Sequence, residues 1–159
     1  YEPYTATEAR AVSIAGGDPL EDFTNRSYRG KTVRTPNITD AQMVAETRAK
    51  MQGKPLILSV NVANPMVFSE VEPNAQAILV NFNVQDQAIF DLLSGKAEPS
   101  GLLPAQMPAN MSTVETQAED LPFDMEPYED AAGNRYDFGF GMYWQGVIQD
   151  DRLPQFRNL

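Results

Sequence analysis

Two short runs constrain the fold more than anything else in the chain: Leu56–Val62, LILSVNV, and Ala77–Phe82, AILVNF. Both are apolar almost without interruption. A strand with one wet face alternates apolar and polar residues, whereas a strand covered on both faces does not, and that second pattern belongs to parallel sheets. The 14 residues between the runs, ANPMVFSEVEPNAQ, hold a short helical turn and are long enough for a crossover connection. Such a strand, crossover, parallel strand unit is right-handed in nearly all proteins.

Helical patterns flank the two runs. In NITDAQMVAETRAKMQGKP, Thr39 as N-cap with Gln42 three residues later makes a capping box. Met43, Thr47 and Met51 then share one face with Val44 beside them, Gly53 sits where a left-handed residue ends the helix, and Pro55 prevents its continuation. VQDQAIFDLLSG predicts a second helix with Ile89, Leu92 and Leu93 inward and Gly95 as its stop. The alternation is α/β.

After Gly95 come three prolines and two glycines, counting Gly95 itself, in GKAEPSGLLPAQMP. AEPSG turns the chain, and LLPAQMP reads as a short extended segment that Pro104 and Pro108 confine to a sheet edge, because neither can donate to a ladder. Beyond it lies an acidic, aromatic-rich loop region in which AAGN makes a turn and YDFGFGMYW lets glycines bring backbone close to packed rings. Residues 1–36 are irregular: TATEARAVSIAG suits a short helix capped by Thr5 or Thr7 and stopped by GGDP. LEDFTNRSYRGKT reads as a long ordered loop with Phe23 and Tyr28 buried, a length associated with function.

Composition removes whole classes of chemistry. Net charge is −10, with 12 basic residues scattered among 22 acidic ones, so no phosphate-binding surface and no nucleic-acid partner is expected. No apolar run is long enough to span a membrane, and no N-terminal segment reads as a signal peptide. Cysteine is absent, which leaves no disulfide or thiol chemistry. Histidine is absent as well. That excludes Ser-His-Asp and Cys-His schemes and the usual zinc sites, and leaves carboxylates, Lys, Tyr or backbone to carry any reaction.

Individual motifs reduce mostly to packing or solvation. Gly139 and Gly141 form a GxG without the strand-to-helix setting of a phosphate cradle, so a packing loop is expected. Glu119 and Asp120 are neighbours that point apart into water. The sequons at Asn25, Asn37 and Asn110 are weak signals. Glu2, Glu8, Asp18, Glu21 and Asp22 gather in the N-terminal stretch, where a loop leaves a sheet and sites in α/β folds are favoured.

The run from GKPLILSV to GLLPAQMP resembles the C-terminal α/β sandwich domain of glycoside hydrolase family 3, the β-glucosidase and exo-glucanase family. The similarity is carried by GKP before the first strand, DQA opening the helix, GKAEPSGLLP after it, and YDFGFGM near the end, all in order. YEPYTATEARAV and DFTNRSYRG look similar to the loop region of the same domain in bacterial members. Leu102 departs from the Lys or Arg common in the family, and Phe140 from its Tyr or His, which puts in doubt contacts made through those side chains.

The resemblance implies a three-layer α/β/α sandwich with a mostly parallel sheet, here partial with its first strands missing. Residues 1–145 would be the domain and 146–159 a C-terminal tail. It implies part of a retaining exo-β-glycosidase acting on a β-linked glucoside or oligosaccharide, with no cofactor and no metal, in a bacterial periplasmic or secreted setting. The nucleophilic aspartate would lie on a preceding (β/α)8 barrel, and this chain would supply one wall of the sugar pocket. By its location Glu2, in YEPY, is the candidate general acid/base, with Glu21 and Asp22 as runners-up. Protonating the leaving oxygen requires a carboxyl group kept neutral by partial burial. An incomplete sheet would leave large apolar side chains uncovered, each worth roughly 1.5–3 kcal/mol, so association through the exposed edge is expected. The alternative implied is a non-catalytic carbohydrate-binding or structural module, with Tyr136, Phe138, Tyr143 and Trp144 as sugar platforms or, more simply, as core.

Overall fold

The structure is a computed structural model, and residues 38–117 and 123–156 are described. Helix α1 spans Ile38–Lys50 and leads into strand β1, Ile57–Asn61. A 3-10 turn at Glu72–Asn74 precedes strand β2, Ala77–Asn81, and helix α2 follows at Asp86–Leu93. A long ribbon-like segment then passes a short helix α3, Met111–Thr116, and reaches a hairpin of β3, Met142–Tyr143, and β4, Gly146–Val147. A last 3-10 turn covers Leu153–Phe156.

The two apolar runs do pair in parallel, Ile57 opposite Ala77 through Asn61 opposite Asn81, with the helical turn between them as the crossover contains it. Their burial divides: Ile78–Asn81 of β2 are half-buried on both faces, whereas β1 departs from the doubly covered expectation. Along β1 the half-buried residues Leu58 and Val60 alternate with exposed Ile57, Ser59 and Asn61. An apolar run expresses a preference for burial, and Ile57 carries that preference on a face left in the open.

Helix α1 begins at Ile38, which places Thr39 inside the helix and not at its N-cap. Of its expected inward face Val44, Thr47 and Met51 are half-buried, and Met43 is the exception. Ala41 and Val44 pack on the core while Met43 lies largely exposed. Helix α2 ends at the left-handed Gly95, φ 73°, and α1 is followed by two left-handed residues, Gln52 at φ 50° and Gly53 at φ 85°. Arg48 ties the end of α1 to the sheet, donating to the Lys54 carbonyl at 3.1 Å and to the Gln76 side chain at 3.3 Å. In α2, Ile89 and Leu92 are half-buried, but Leu93 and Phe90 are turned mostly to water, Phe90 with 62% of its surface exposed.

The core gathers around Phe68, with 0% exposure, together with Val71 and Met107. Leu58, Ile78 and Val80 reach it from the sheet, and Leu103, Tyr128 and Tyr136 from the later chain. Thus the crossover loop, not α2, supplies the central side chain.

The proline-rich segment is not a sheet edge. It is threaded through the middle of the later chain. Leu103 N–H donates to the Phe140 carbonyl at 2.7 Å, and Gly139 N–H returns a bond to the Leu103 carbonyl at 2.8 Å. Three segments then close a triangle of main-chain hydrogen bonds: Met107 to Tyr136 at 2.9 Å, Tyr136 to Tyr128 at 2.8 Å, and Tyr128 back to Met107 at 2.8 Å. Pro108 bridges Pro127, and the bonds on either side come from their neighbours, so the missing proline donors are not needed there.

Candidate functional site

Glu2, Glu21 and Asp22 lie outside the described residues, as do Glu8, Asp18, Glu119, Asp120, Asn25 and Asn37. Two polar groupings among the described residues bear on a site. One sits beside the core and one at the end of the parallel strands.

The first forms where the 3-10 turn meets the triangle of main-chain bonds. Tyr128 donates its hydroxyl to Glu72 Oε2 at 2.8 Å. Around this bond the rings of Phe68 and Tyr136 lie 5.4 Å apart, those of Tyr128 and Tyr136 meet edge to face at 5.2 Å, and those of Tyr136 and Phe140 stack at 5.3 Å. Burial pushes the Tyr128 hydroxyl up to about 12, helped by its bond to Glu72 and by the negative charges of Glu72 and Asp130. Tyr136 is raised further, again mainly by burial, then by Glu72, Asp130 and Tyr128. Both phenols therefore stay protonated at ordinary pH and serve as hydrogen-bond donors and ring surfaces, not as bases.

The second grouping stands at the carboxyl end of the sheet. Asn61, the last residue of β1, donates from Nδ2 to Asn83 Oδ1 at 2.9 Å, and its own Oδ1 accepts the Asn83 N–H at 2.9 Å. Asn83 is held at φ 59°, a left-handed conformation that asparagine tolerates. Beside it Asn81 donates to the Ser59 hydroxyl at 3.2 Å. Reading the sequence passes over these residues. The available signal is that each apolar run carries an asparagine next to its last position, at the ligand-facing end of a parallel strand.

The four aromatic platform candidates fall into different surroundings. Tyr136 is spent on ring packing, Phe138 and Tyr143 are half-buried, and Trp144 projects from the hairpin with 58% of its surface exposed. Gly139 and Gly141 do form a packing loop, although what they approach is not a ring. A Cβ on Gly141 would run into the Gly101 carbonyl oxygen, and one on Gly139, at φ 79°, would run into the Leu153 side chain. Asn110 caps α3, accepting the Thr113 N–H at 2.9 Å. In the AAGN turn, Asp130 Oδ1 accepts from Ala132 and Asn134, and Gly133 has φ 82°. Among the described residues no group of three or more acidic ligands is placed to hold a metal ion, and no helix is long and apolar enough to cross a membrane.

The chain is similar to several β-glucosidases. It is 42% identical over 72 residues to β-glucosidase C of Emericella nidulans, covering 45% of this chain and 12% of that protein. It is 28% identical over 120 residues to the periplasmic β-glucosidase/β-xylosidase of Dickeya chrysanthemi, covering 76% of this chain and 17% of that protein. The periplasmic β-glucosidase of Salmonella typhimurium is 29% identical over 132 residues, with 72% of this chain and 17% of that protein covered. The chain thus spans less than a fifth of the length of these relatives. No solved structure gives a significant match. Residues 5–144 match the glycosyl hydrolase family 3 C-terminal domain, and the chain therefore belongs to that family.

Proposed function

We propose that this chain is the later part of a retaining, exo-acting β-glycosidase that releases terminal β-D-glucosyl residues. The observation that carries the reading is the family match across residues 5–144, joined by relatives named as β-glucosidases. Retaining hydrolysis needs two carboxyl groups about 5–5.5 Å apart across the glycosidic bond. One is the nucleophilic aspartate on a (β/α)8 barrel elsewhere in the parent polypeptide. The other is the general acid/base, for which Glu2 is the candidate of this chain and Glu21 and Asp22 its alternatives. It protonates the leaving oxygen, then removes the proton from the water that releases the sugar.

The barrel is the principal partner, and the exposed edge of the sheet, with Ile57 uncovered on β1, favours self-association when the barrel is absent. The periplasmic relatives suggest the same setting, or a secreted one, for the parent.

The test is hydrolysis of 4-nitrophenyl β-D-glucoside by the isolated chain and by the parent polypeptide. The parent turns the substrate over and the isolated chain does not. In the parent, Glu2→Gln lowers kcat by at least about 100-fold, and turnover by the isolated chain contradicts the assignment of the nucleophile.

A further inference from the structure

We propose that the carboxyl end of the β1–β2 pair is the face this chain presents to a saccharide. In it Asn83 Nδ2 binds a sugar hydroxyl and the Phe82 ring supports the apolar face of a pyranose. The proposal rests on the glycoside reading above and adds which end of the domain meets the sugar and through which atoms.

Three observations converge on this end. First, ligands of α/β sheets bind outside the carboxyl ends of parallel strands, and Asn61 and Asn81 are the last residues of two such neighbours. Second, Asn83 is oriented before any ligand arrives. Asn61 holds both its backbone N–H and its Oδ1. With Oδ1 occupied, the carboxamide cannot rotate without breaking that bond, and Nδ2 is left as a positioned donor for which the described residues supply no partner. A donor fixed in advance binds without an ordering cost. Third, Phe82 immediately precedes Asn83 and is 49% exposed.

An amide donor one residue along the chain from a half-exposed ring suits a ligand that is apolar on one face and hydroxylated at its rim. The charge nearby narrows the class further. Asp86, exposed at the start of α2 and three residues beyond Asn83, adds a negative charge that disfavours phosphate and carboxylate, so a neutral sugar fits better than a phosphorylated or acidic one.

The left-handed backbone of Asn83 allows clean substitutions. Asn83→Asp keeps the oxygen that accepts from Asn61 and replaces the outward donor with an acceptor. Asn83→Gly keeps the backbone conformation and removes the amide altogether. Phe82→Ala removes the ring.

The experiment measures kcat and KM for 4-nitrophenyl β-D-glucoside, binding of cellobiose, and the thermal melt, all with the parent polypeptide. Each variant is expected to raise KM or weaken cellobiose binding roughly three- to tenfold, with kcat and the melting midpoint close to the parent's. Folded Asn83→Asp, Asn83→Gly and Phe82→Ala proteins that all match the parent in KM and cellobiose binding overturn the proposal and leave the hydrolase reading intact. A parent that binds cellobiose through these residues but hydrolyses nothing supports the proposal and overturns the hydrolase reading instead.

Discussion

Tyr128 and Glu72, 56 positions apart, are joined by a 2.8 Å hydrogen bond that fastens the crossover between the parallel strands to the ribbon of the later chain. Because the phenol is raised from 10.0 to about 12, its neutral form is the one the fold prefers. The stability that follows from this preference is complete below pH 10 and is lost as pH rises toward 12. A tyrosinate absorbance titration with parallel unfolding curves should show that alkaline loss. Tyr128→Phe should remove this site's share of it and lower stability at neutral pH by about 1 kcal/mol. Glu72→Gln retains an acceptor but removes the charge, and should move the ionisation of Tyr128 back toward its ordinary range.

Phe68 and Phe90 make a controlled comparison, since the same side chain is fully buried in one case and mostly exposed in the other. Phe68→Ala leaves a cavity between the sheet and the triangle of main-chain bonds and should cost about 3–5 kcal/mol. Phe90→Ala should change stability by about 0.5 kcal/mol or less. Denaturant midpoints of the two variants decide the matter, and equal losses would mean that Phe90 is covered in solution.

Gly141 and Gly101 touch asymmetrically. A methyl group on Gly141 meets the Gly101 carbonyl, which is backbone and cannot rotate away, whereas one on Gly101 meets nothing within 4 Å. Gly141→Ala should therefore destabilise by about 1–3 kcal/mol, and Gly101→Ala should be close to neutral. Thermal melts of both variants test this.

The cap on α3 gives a smaller effect. Asn110 accepts from both the backbone and the hydroxyl of Thr113, at 2.9 and 3.4 Å. Asn110→Ala should lose about 1 kcal/mol, and Asn110→Asp, which keeps the acceptor, should recover most of it. Amide hydrogen exchange at Thr113 should quicken in the alanine variant alone.

What the sequence made legible is local. The crossover turn, the parallel pairing, the left-handed Gly53 and Gly95 after the helices, and the AAGN turn each follow from a few consecutive residues, and each is present. What stayed hidden depends on distant parts of the chain. The prolines at 104 and 108 suggest an edge because they lack donors, yet the segment takes its bonds at 103, 107 and 109, where donors exist. Met43 and Leu93 fit the helical pattern for an inward face, but the pattern does not specify what lies opposite, and both face water. For the candidate site, the asparagines at 61 and 83 become conspicuous only when the register sets them side by side. The acidic candidates at 2, 21 and 22 fall outside the described residues, and their proposed roles rest on the family resemblance.

The closed triangle among Met107, Tyr128 and Tyr136 has a bearing on biosynthesis. A ribosome delivers Met107 first, and the two segments that shield it are translated afterwards. Until Tyr136 arrives, the Met107 N–H lacks its acceptor and the thioether side chain is covered only from the earlier side, by Phe68 and Val71, so other unfinished polypeptides can reach the open side. Shortening this protein from its C-terminal side would make that vulnerable interval permanent.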